Sequence, residues 1–482
     1  MTVVPHVIDG EETDAVHGGR FESVNPWTRV PWAEVALGDE ADVARAVAAA
    51  RRAFDEGPWP RMGTAERRAV LHRFADLLLA HAGELAQADS SDMGKPISDL
   101  LEREVPRSAH NLRFFADHAA LAPGAVFPMD SGHHAYERFE PAGVVAAISP
   151  WNFPLMLETW KIAPALAWGN TVVLKPAEES PVSASSLARL GLEAGLPPGV
   201  LNVVHGFGPE SAGEALTRHP GVDRVTFTGE SATGRAVAAA AASHLAPVSL
   251  ELGGKGASIV FADADLDGAV AWSIRAAFSN AGQVCLAGSR LLVEASVLDE
   301  FVDRLVTAAE SLVVGDPSDP KTQLGPLSSR QHFEKVVGYL DDIPLAGGKV
   351  LTGGRRDGWM VAPTVVSGLG PKAPHCREEI FGPIVPVLPF EDEAEAVRLA
   401  NDSLFGLNAM CFTTNLSRGH RVAARLRAGT VWVNCFFVRD LRAPFGGVGD
   451  SGVGREGGTY SREFFTEPKT VMMEVDSCPA GF

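Results

Sequence analysis

No stretch of this sequence stays apolar for long enough to cross a bilayer. Runs such as Gly143–Ile148 and Ala236–Ala242 end after six or seven residues, against about 20 for a span. The opening MTVVPHVIDGEETDAVHGG lacks the basic start and apolar centre of a signal peptide. Cysteine is scarce: five residues, at positions 285, 376, 411, 435 and 478, with no CxxC pair. An odd, scattered set does not read as a disulfide framework or a zinc cluster and fits free thiols in a reducing compartment. A cytoplasmic location is therefore expected. The 14 histidines form no HExxH, and His133-His134 fall on an expected loop, so no metal is expected. Basic charge is in deficit, 42 Lys and Arg against 60 Asp and Glu, for a net charge of -18. Such a surface repels nucleic acid phosphates and anionic membranes, so neither is an expected partner. An anionic small substrate would need a local cationic site.

What is present is an ordinary globular balance of 46% apolar and 21% charged residues over 482 positions, enough for two or three domains. Early segments have helical spacing: Asp42–Phe54 and Thr64–Gln87 each place apolar residues on one face. From about Ala135 short apolar strands alternate with helices. Gly143–Ile148, Thr171–Leu174, Leu201–Val204 and Arg224–Thr228 read as strands, Val182–Ala194 and a segment from Ala232 as helices. Such alternation implies βαβ units and a mostly parallel sheet, hence an α/β fold. A second α/β region runs from about Gly253 to Gly429. Thr470–Val475 reads as extended without a local partner, so pairing with another subunit is its expected job. No internal repeat or low-complexity linker interrupts the chain.

Five segments carry candidate chemistry. In Phe278–Arg290 (FSNAGQVCLAGSR) Cys285 stands among small and polar residues that let a carbonyl approach its sulfur. Taken alone, it also fits an inert buried thiol. Glu251, in LELGGK, has apolar neighbours that would raise its pKa towards that of a general base; a solvated turn carboxylate is the other reading. In PWNFP, Asn152 follows a buried strand on a rigid turn, where an amide can stabilise an oxyanion by roughly 3–4 kcal/mol or simply cap the turn. Phe227–Gly234 (FTGESATG) joins strand, glycine turn and helix start, a site for diphosphate although not the standard GxGxxG. In KPAEES, Lys175 can hold an adenosine ribose and Glu178 can accept its 2′-hydroxyl, favouring NAD over NADP. A plain ion pair fits these two residues as well.

In this order, PWNFP, KPAEES, GFGP (Gly206–Pro209), FTGESATG, LELGGK, GQVCLAGSR, EEIFGP (Glu378–Pro383) and PFGG (Pro444–Gly447) resemble the aldehyde dehydrogenase superfamily over nearly the whole chain. The resemblance implies a Rossmann-like cofactor domain (1–122 and 142–252), a second α/β catalytic domain (253–452) and a small β oligomerisation element (123–141 and 468–482), in which a hairpin near Pro123–Pro141 pairs with the C-terminal strand. It implies Cys285 as nucleophile, Glu251 as base and Asn152 as oxyanion donor. It places NAD on Ile148, Trp151, Lys175, Glu178, Gly208, Gly229, Ser231, Leu252, Glu379 and Phe381. It also implies a homodimer or homotetramer. Glu251 argues against the branch that passes its acyl group to coenzyme A. Glu230 departs from the serine common at its position; it marks a branch and leaves the diphosphate to Ser231 or to backbone N–H groups.

Pro106–Asn111, Val438–Gly447 and Gly454–Gly458 are similar to the branch acting on hydroxymuconate-type semialdehydes in aromatic catabolism, and Gly457–Ser461 extends the likeness to enzymes of the carboxymethyl-substituted compound. That likeness implies Arg107 and Arg439 as ligands of a substrate carboxylate, with Phe445 beside them; Arg442 reads as structural. A guanidinium pairs with a carboxylate through two parallel hydrogen bonds. Structural ion pairs would account for the same arginines. The alternatives are a broad-range or amine-aldehyde dehydrogenase on the same scaffold, and an inactive structural or binding relative, for which loss of Cys285 or Glu251 would be expected.

Overall fold

The computed structural model describes residues 1–474. Two open sheets dominate. The first has eight strands in the order Gly452–Val453, Val248–Glu251, Arg224–Thr228, Val144–Ile148, Thr171–Lys175, Leu201–Val203, His6–Ile8 and Glu11–Thr13. Its middle five strands are parallel, and antiparallel pairs close both edges. Each middle strand is wholly or almost wholly buried, as expected when helices cover both faces. From Val144–Ile148 the chain moves outward through two strands, then returns to the other side of it with Arg224–Thr228. This reversal opens a crevice at the carboxyl ends of the strands, the usual ligand position in such sheets.

The second sheet has seven strands, in the order Lys349–Thr352, Thr364–Ser367, Ile384–Phe390, Arg290–Glu294, Ala257–Val260, Asn408–Phe412 and Thr430–Val433. All pairs but the outermost first are parallel. Separate apolar clusters fill the two faces of each sheet. The segment carrying Cys285 enters the amino end of Arg290–Glu294, and the segment carrying Glu379 and Phe381 enters that of Ile384–Phe390. The segments that leave the first sheet and those that enter the second therefore supply the lining of one cleft.

Local chemistry explains the element limits. The first long helix, Glu40–Asp55, starts two residues before the expected position because Asp39 and Asp42 form a capping box. The helix expected over Thr64–Gln87 is two, Thr64–Ala80 and Ala82–Met93, broken at His81 beside Gly83. Glycine weakens the helix there. The second helix ends at Gly94 in the left-handed region (φ 77°). The strands before residue 37 lie ahead of the first helical signal; several are only three residues long and show no usable alternation.

The extended C-terminal segment finds a partner inside its own chain, in the hairpin with which the family resemblance pairs it. Thr466–Glu474 pairs antiparallel with His133–Pro141, and Val126–Phe127 completes a three-stranded sheet. The partner lies more than 300 residues earlier in the chain, so no local pattern reveals it. Val475 and the remainder of the expected element to 482 lie outside the described residues.

Candidate active site

Cys285 sits on a loop held in a costly backbone conformation. Asn280, Ala281 and Gly282 take consecutive left-handed angles (φ 49°, 53° and 75°), which costs of order 1–3 kcal/mol for each residue other than glycine. Side chains hold the strained turn in place. Asn280 Nδ2 donates to Asn152 O at 3.0 Å, Gln283 Nε2 donates to Asn280 O at 3.0 Å, and Ser328 N donates to Gln283 Oε1 at 3.0 Å. Asn152 Nδ2 spends one N–H on Gln283 O, at 3.0 Å, and keeps a second N–H free. Asn152 is thus tied to the Cys285 loop although 133 positions separate them.

Gly254 lets the loop approach: a Cβ there would lie 2.3 Å from Cys285 O. Its N–H donates to Glu379 Oε1 at 2.8 Å. Burial pushes the Cys285 thiol up to about 12, and the carboxyls of Glu379 and Glu251 add to the shift. Arg439 and the Leu286 N–H act in the opposite direction. Glu251 ends the strand Val248–Glu251, and neither of its carboxyl oxygens has a hydrogen-bond partner. Burial, then Glu456, hold its pKa well above the ordinary glutamate range, against the pull of Lys161 and Arg439. Below it, Glu456 accepts from Trp160 Nε1 and, at 3.3 Å each, from Thr226 Oγ1 and Ser249 Oγ. Lys161 Nζ lies 3.6 Å from the same carboxylate.

Two cavities flank the loop that carries Cys285. One, of about 510 Å³, is bordered by Cys285 and Asn152, and by Trp151, Gly229, Leu252, Glu379 and Phe381. Trp151 packs edge-on to Phe381 (centroids 5.4 Å apart) and 5.2 Å from the His332 ring. His332 Nε2 donates to Phe381 O at 2.8 Å, bracing Phe381 in its left-handed conformation (φ 60°). Burial raises the Glu379 carboxyl to about 7. Sequence reasoning missed Glu179, Ser329, Gln331, His332 and Lys335, which complete this lining. The last three lie on Arg330–Asp342, an amphipathic helix with no motif to mark it.

Ile148, Lys175, Glu178, Gly208 and Ser231 do not border this cavity; they follow the same sheet edge. Ile148 and Lys175 are register partners on neighbouring strands. Lys175, itself buried, donates to Pro176 O at 2.9 Å and pairs with Glu178 at 3.2 Å. Gly208 follows the next strand, Leu201–Val203. Ser231 Oγ donates to Asp450 O at 2.7 Å, so its proton is committed there. No side chain caps the helix Ser231–Ala242, and its first N–H groups remain suited to an anion. Glu230, exposed, borders the cavity and adds to the raised pKa of Glu379.

The second cavity, of about 490 Å³, lies on the other side of the loop, against Val284, Asn280, Phe153, Phe437 and Arg107. Arg107 Nε donates to Asn111 Oδ1 at 3.0 Å. The Arg439 guanidinium lies 3.8 Å from the Phe445 ring centroid and 4.9 Å from that of Trp160. Its Nη2 is buried without a hydrogen-bond partner. Burial, then Arg107, lower its pKa to about 10. Arg442, by contrast, pairs with Asp440 at 2.6 Å. Among the described residues, no group of three or more His, Cys, Asp or Glu is placed to hold a metal, and no helix is long and apolar enough to cross a membrane.

Comparison with known proteins shows the family. The model of the family described as "Aldehyde dehydrogenase family" matches residues 13–471. The 2-hydroxymuconic semialdehyde dehydrogenase of Pseudomonas sp. (strain CF600) is 48% identical over 98% of this chain and 100% of its own. A putative aldehyde dehydrogenase from Burkholderia cenocepacia superposes with a TM-score of 0.97, at 44% identity over 100% of both chains. The P. syringae indole-3-acetaldehyde dehydrogenase AldA, solved in complex with NAD+ and IAA, superposes with a TM-score of 0.96, at 41% identity over 98% of this chain and 96% of that one. The chain belongs to the aldehyde dehydrogenase family and is an NAD(P)-dependent aldehyde dehydrogenase.

Proposed function

We propose that this enzyme oxidises a carboxylate-bearing semialdehyde of the hydroxymuconate type to the corresponding acid, with NAD as oxidant. The pair Arg107 and Arg439 carries the substrate assignment. Two partly buried guanidinium groups repel each other, Arg439 is near enough to act on the Cys285 thiol, and Arg439 Nη2 has no acceptor. Leaving such groups unsatisfied is costly, and a substrate carboxylate supplies the missing acceptor. The 48% identity to a 2-hydroxymuconic semialdehyde dehydrogenase supports the same class.

The residues at the carboxyl edge of the first sheet fit a dinucleotide. The uncapped helix start at Ser231 suits a diphosphate, and the cavity beside Trp151, Glu379 and Phe381 suits a nicotinamide riboside. Glu178, held by Lys175, suits a ribose 2′-hydroxyl and would repel a 2′-phosphate. When bound, NAD accepts the hydride. The protein's own part is nucleophilic and electrostatic. Cys285, once it has lost its proton, attacks the aldehyde carbon as the thiolate from the loop between the two cavities. The free N–H of Asn152 and the Cys285 backbone N–H receive the oxyanion. Loss of hydride leaves a thioester on Cys285. Glu251, unpaired and with its pKa raised, takes a proton from the water that hydrolyses the thioester.

The chain divides in this reading into a cofactor domain (1–122 and 142–252), a catalytic domain (253–452) and an oligomerisation element (123–141 and 468–482). Val126, Phe127 and Met472 are exposed on the three-stranded sheet, an apolar surface that fits a homodimer or homotetramer. The substrate test is NADH formation with hydroxymuconate semialdehyde, succinic semialdehyde, betaine aldehyde and hexanal. Preference for the carboxylate-bearing conjugated compound is expected. Equal use of hexanal or betaine aldehyde would overturn the substrate assignment.

A further inference from the structure

Beside the nucleophile loop lies a cavity of about 10 Å³, bordered by Lys255, Arg290, Leu407 and Asn408. That volume accommodates one water molecule. Lys255 Nζ and Asn408 Oδ1, on opposite sides of this chemistry as donor and acceptor, are both buried without a hydrogen-bond partner. Most of the surrounding donors are already committed. Arg290 donates through Nε and Nη2 to Lys255 O (3.1 and 2.9 Å), through Nη1 to Leu399 O (3.0 Å) and through Nη2 to Ala400 O (2.8 Å). Asn408 Nδ2 donates to Leu286 O at 2.9 Å. Leu286 directly follows Cys285, and its N–H acts to lower the pKa of the thiol.

We infer that Lys255 and Asn408 share one buried water, and that Asn408 is a positioning residue for the nucleophile. The water accepts a hydrogen bond from Lys255 Nζ and donates one to Asn408 Oδ1, which fixes the orientation of the amide. The fixed amide holds the Leu286 carbonyl, and with it the backbone directly after Cys285. Two polar groups that would otherwise destabilise the interior become part of the alignment of Cys285. The inference rests on Cys285 being the nucleophile.

The discriminating variant is Asn408→Asp in the full-length enzyme. A carboxylate of the same size still accepts from the bridging water and attracts Lys255 across it, but has no proton for Leu286 O. Its melting temperature is expected to equal or exceed that of the parent. Alkylation of Cys285 by iodoacetamide, followed on its peptide by mass spectrometry, should slow roughly tenfold, and kcat should fall similarly with little change in KM for the aldehyde. Asn408→Ser, which keeps a donor, should recover most of the alkylation rate relative to Asn408→Ala. Parental alkylation in Asn408→Asp, or a folded Asn408→Ser no faster than Asn408→Ala, would overturn the positioning role. A crystal structure of the parent with one water within hydrogen-bond distance of both Lys255 Nζ and Asn408 Oδ1 is expected; a dry cavity would overturn the bridge. Turnover by Cys285→Ala would instead overturn the underlying assignment of the nucleophile, so the two failures are distinguishable.

Discussion

If Arg439 binds a substrate carboxylate as proposed, Arg439→Met should separate substrate recognition from the chemistry. The guanidinium lies over Phe445 at 3.8 Å and near Trp160 at 4.9 Å, and methionine preserves apolar contact with both rings. The fold therefore loses little, and relief of repulsion with Arg107 offsets part of the lost cation–π attraction. What disappears is a donor for the substrate carboxylate. A hydrogen bond to a charged group contributes about 1.5–3 kcal/mol, equivalent to a loss of about 10- to 150-fold in kcat/KM. Neutral aldehydes make no such bond, and their kcat/KM should stay within about threefold of the parent value. Arg439→Lys should recover part of the loss, because a point charge replaces the planar fork. Initial rates of NADH formation with hydroxymuconate semialdehyde and hexanal measure both effects. Equal losses with the two aldehydes would make Arg439 a support for the site; no loss with either would place the carboxylate elsewhere.

Three further outcomes follow from buried groups near the site and in the core. The Glu251 carboxyl is held well above the ordinary glutamate range, chiefly by burial; it is a base only above that raised pKa, so the rate of thioester hydrolysis should fall as pH drops through it. A single-turnover pH profile checks this, and an acid limb in the ordinary glutamate range would contradict it. Gly446 has φ 144°, and a Cβ there would lie 2.7 Å from Glu251 Oε1. Gly446→Ala should shift the carboxyl and cut hydrolysis roughly 100-fold, with NAD affinity unchanged by fluorescence titration. Glu158 is wholly buried, with neither oxygen partnered, and burial, Asp89 and Asp92 raise its pKa. The folded state holds a proton that the unfolded chain releases, so its stability is retained below the ordinary glutamate range and lost as pH rises towards the raised pKa. Glu158→Leu should stabilise the fold by about 1–3 kcal/mol, more at pH 8.5 than at pH 5.5 in thermal melts.

The parts legible in sequence were those whose signals are local. Gly143–Ile148 reads as a strand because it is short and apolar, and Arg224–Thr228 because it is rich in β-formers and ends at a glycine turn; both prove to lie in the buried sheet. The cleft residues Asn152, Glu251, Cys285 and Glu379 stand in short motifs, each too ambiguous alone to assign. Folding joins them: hydrogen bonds cross from Asn152 to Gln283 and from Gly254 to Glu379. Less legible was whatever depends on distance along the chain. His332 braces Phe381 from an ordinary helix, and Asn408 reaches Leu286 from a strand 122 residues away. The His81 break was missed because the apolar stripe continues across it, although the backbone does not.

The most direct test of the covalent account is to trap the acyl enzyme. Glu251→Gln would be mixed with NAD and a reactive aldehyde, quenched in acid within one turnover, digested and examined by mass spectrometry. The account predicts about one NADH released per active site, then a stall, with the acyl mass on the peptide containing Cys285. An unmodified Cys285 despite NADH release, or the acyl group on another cysteine, would contradict it.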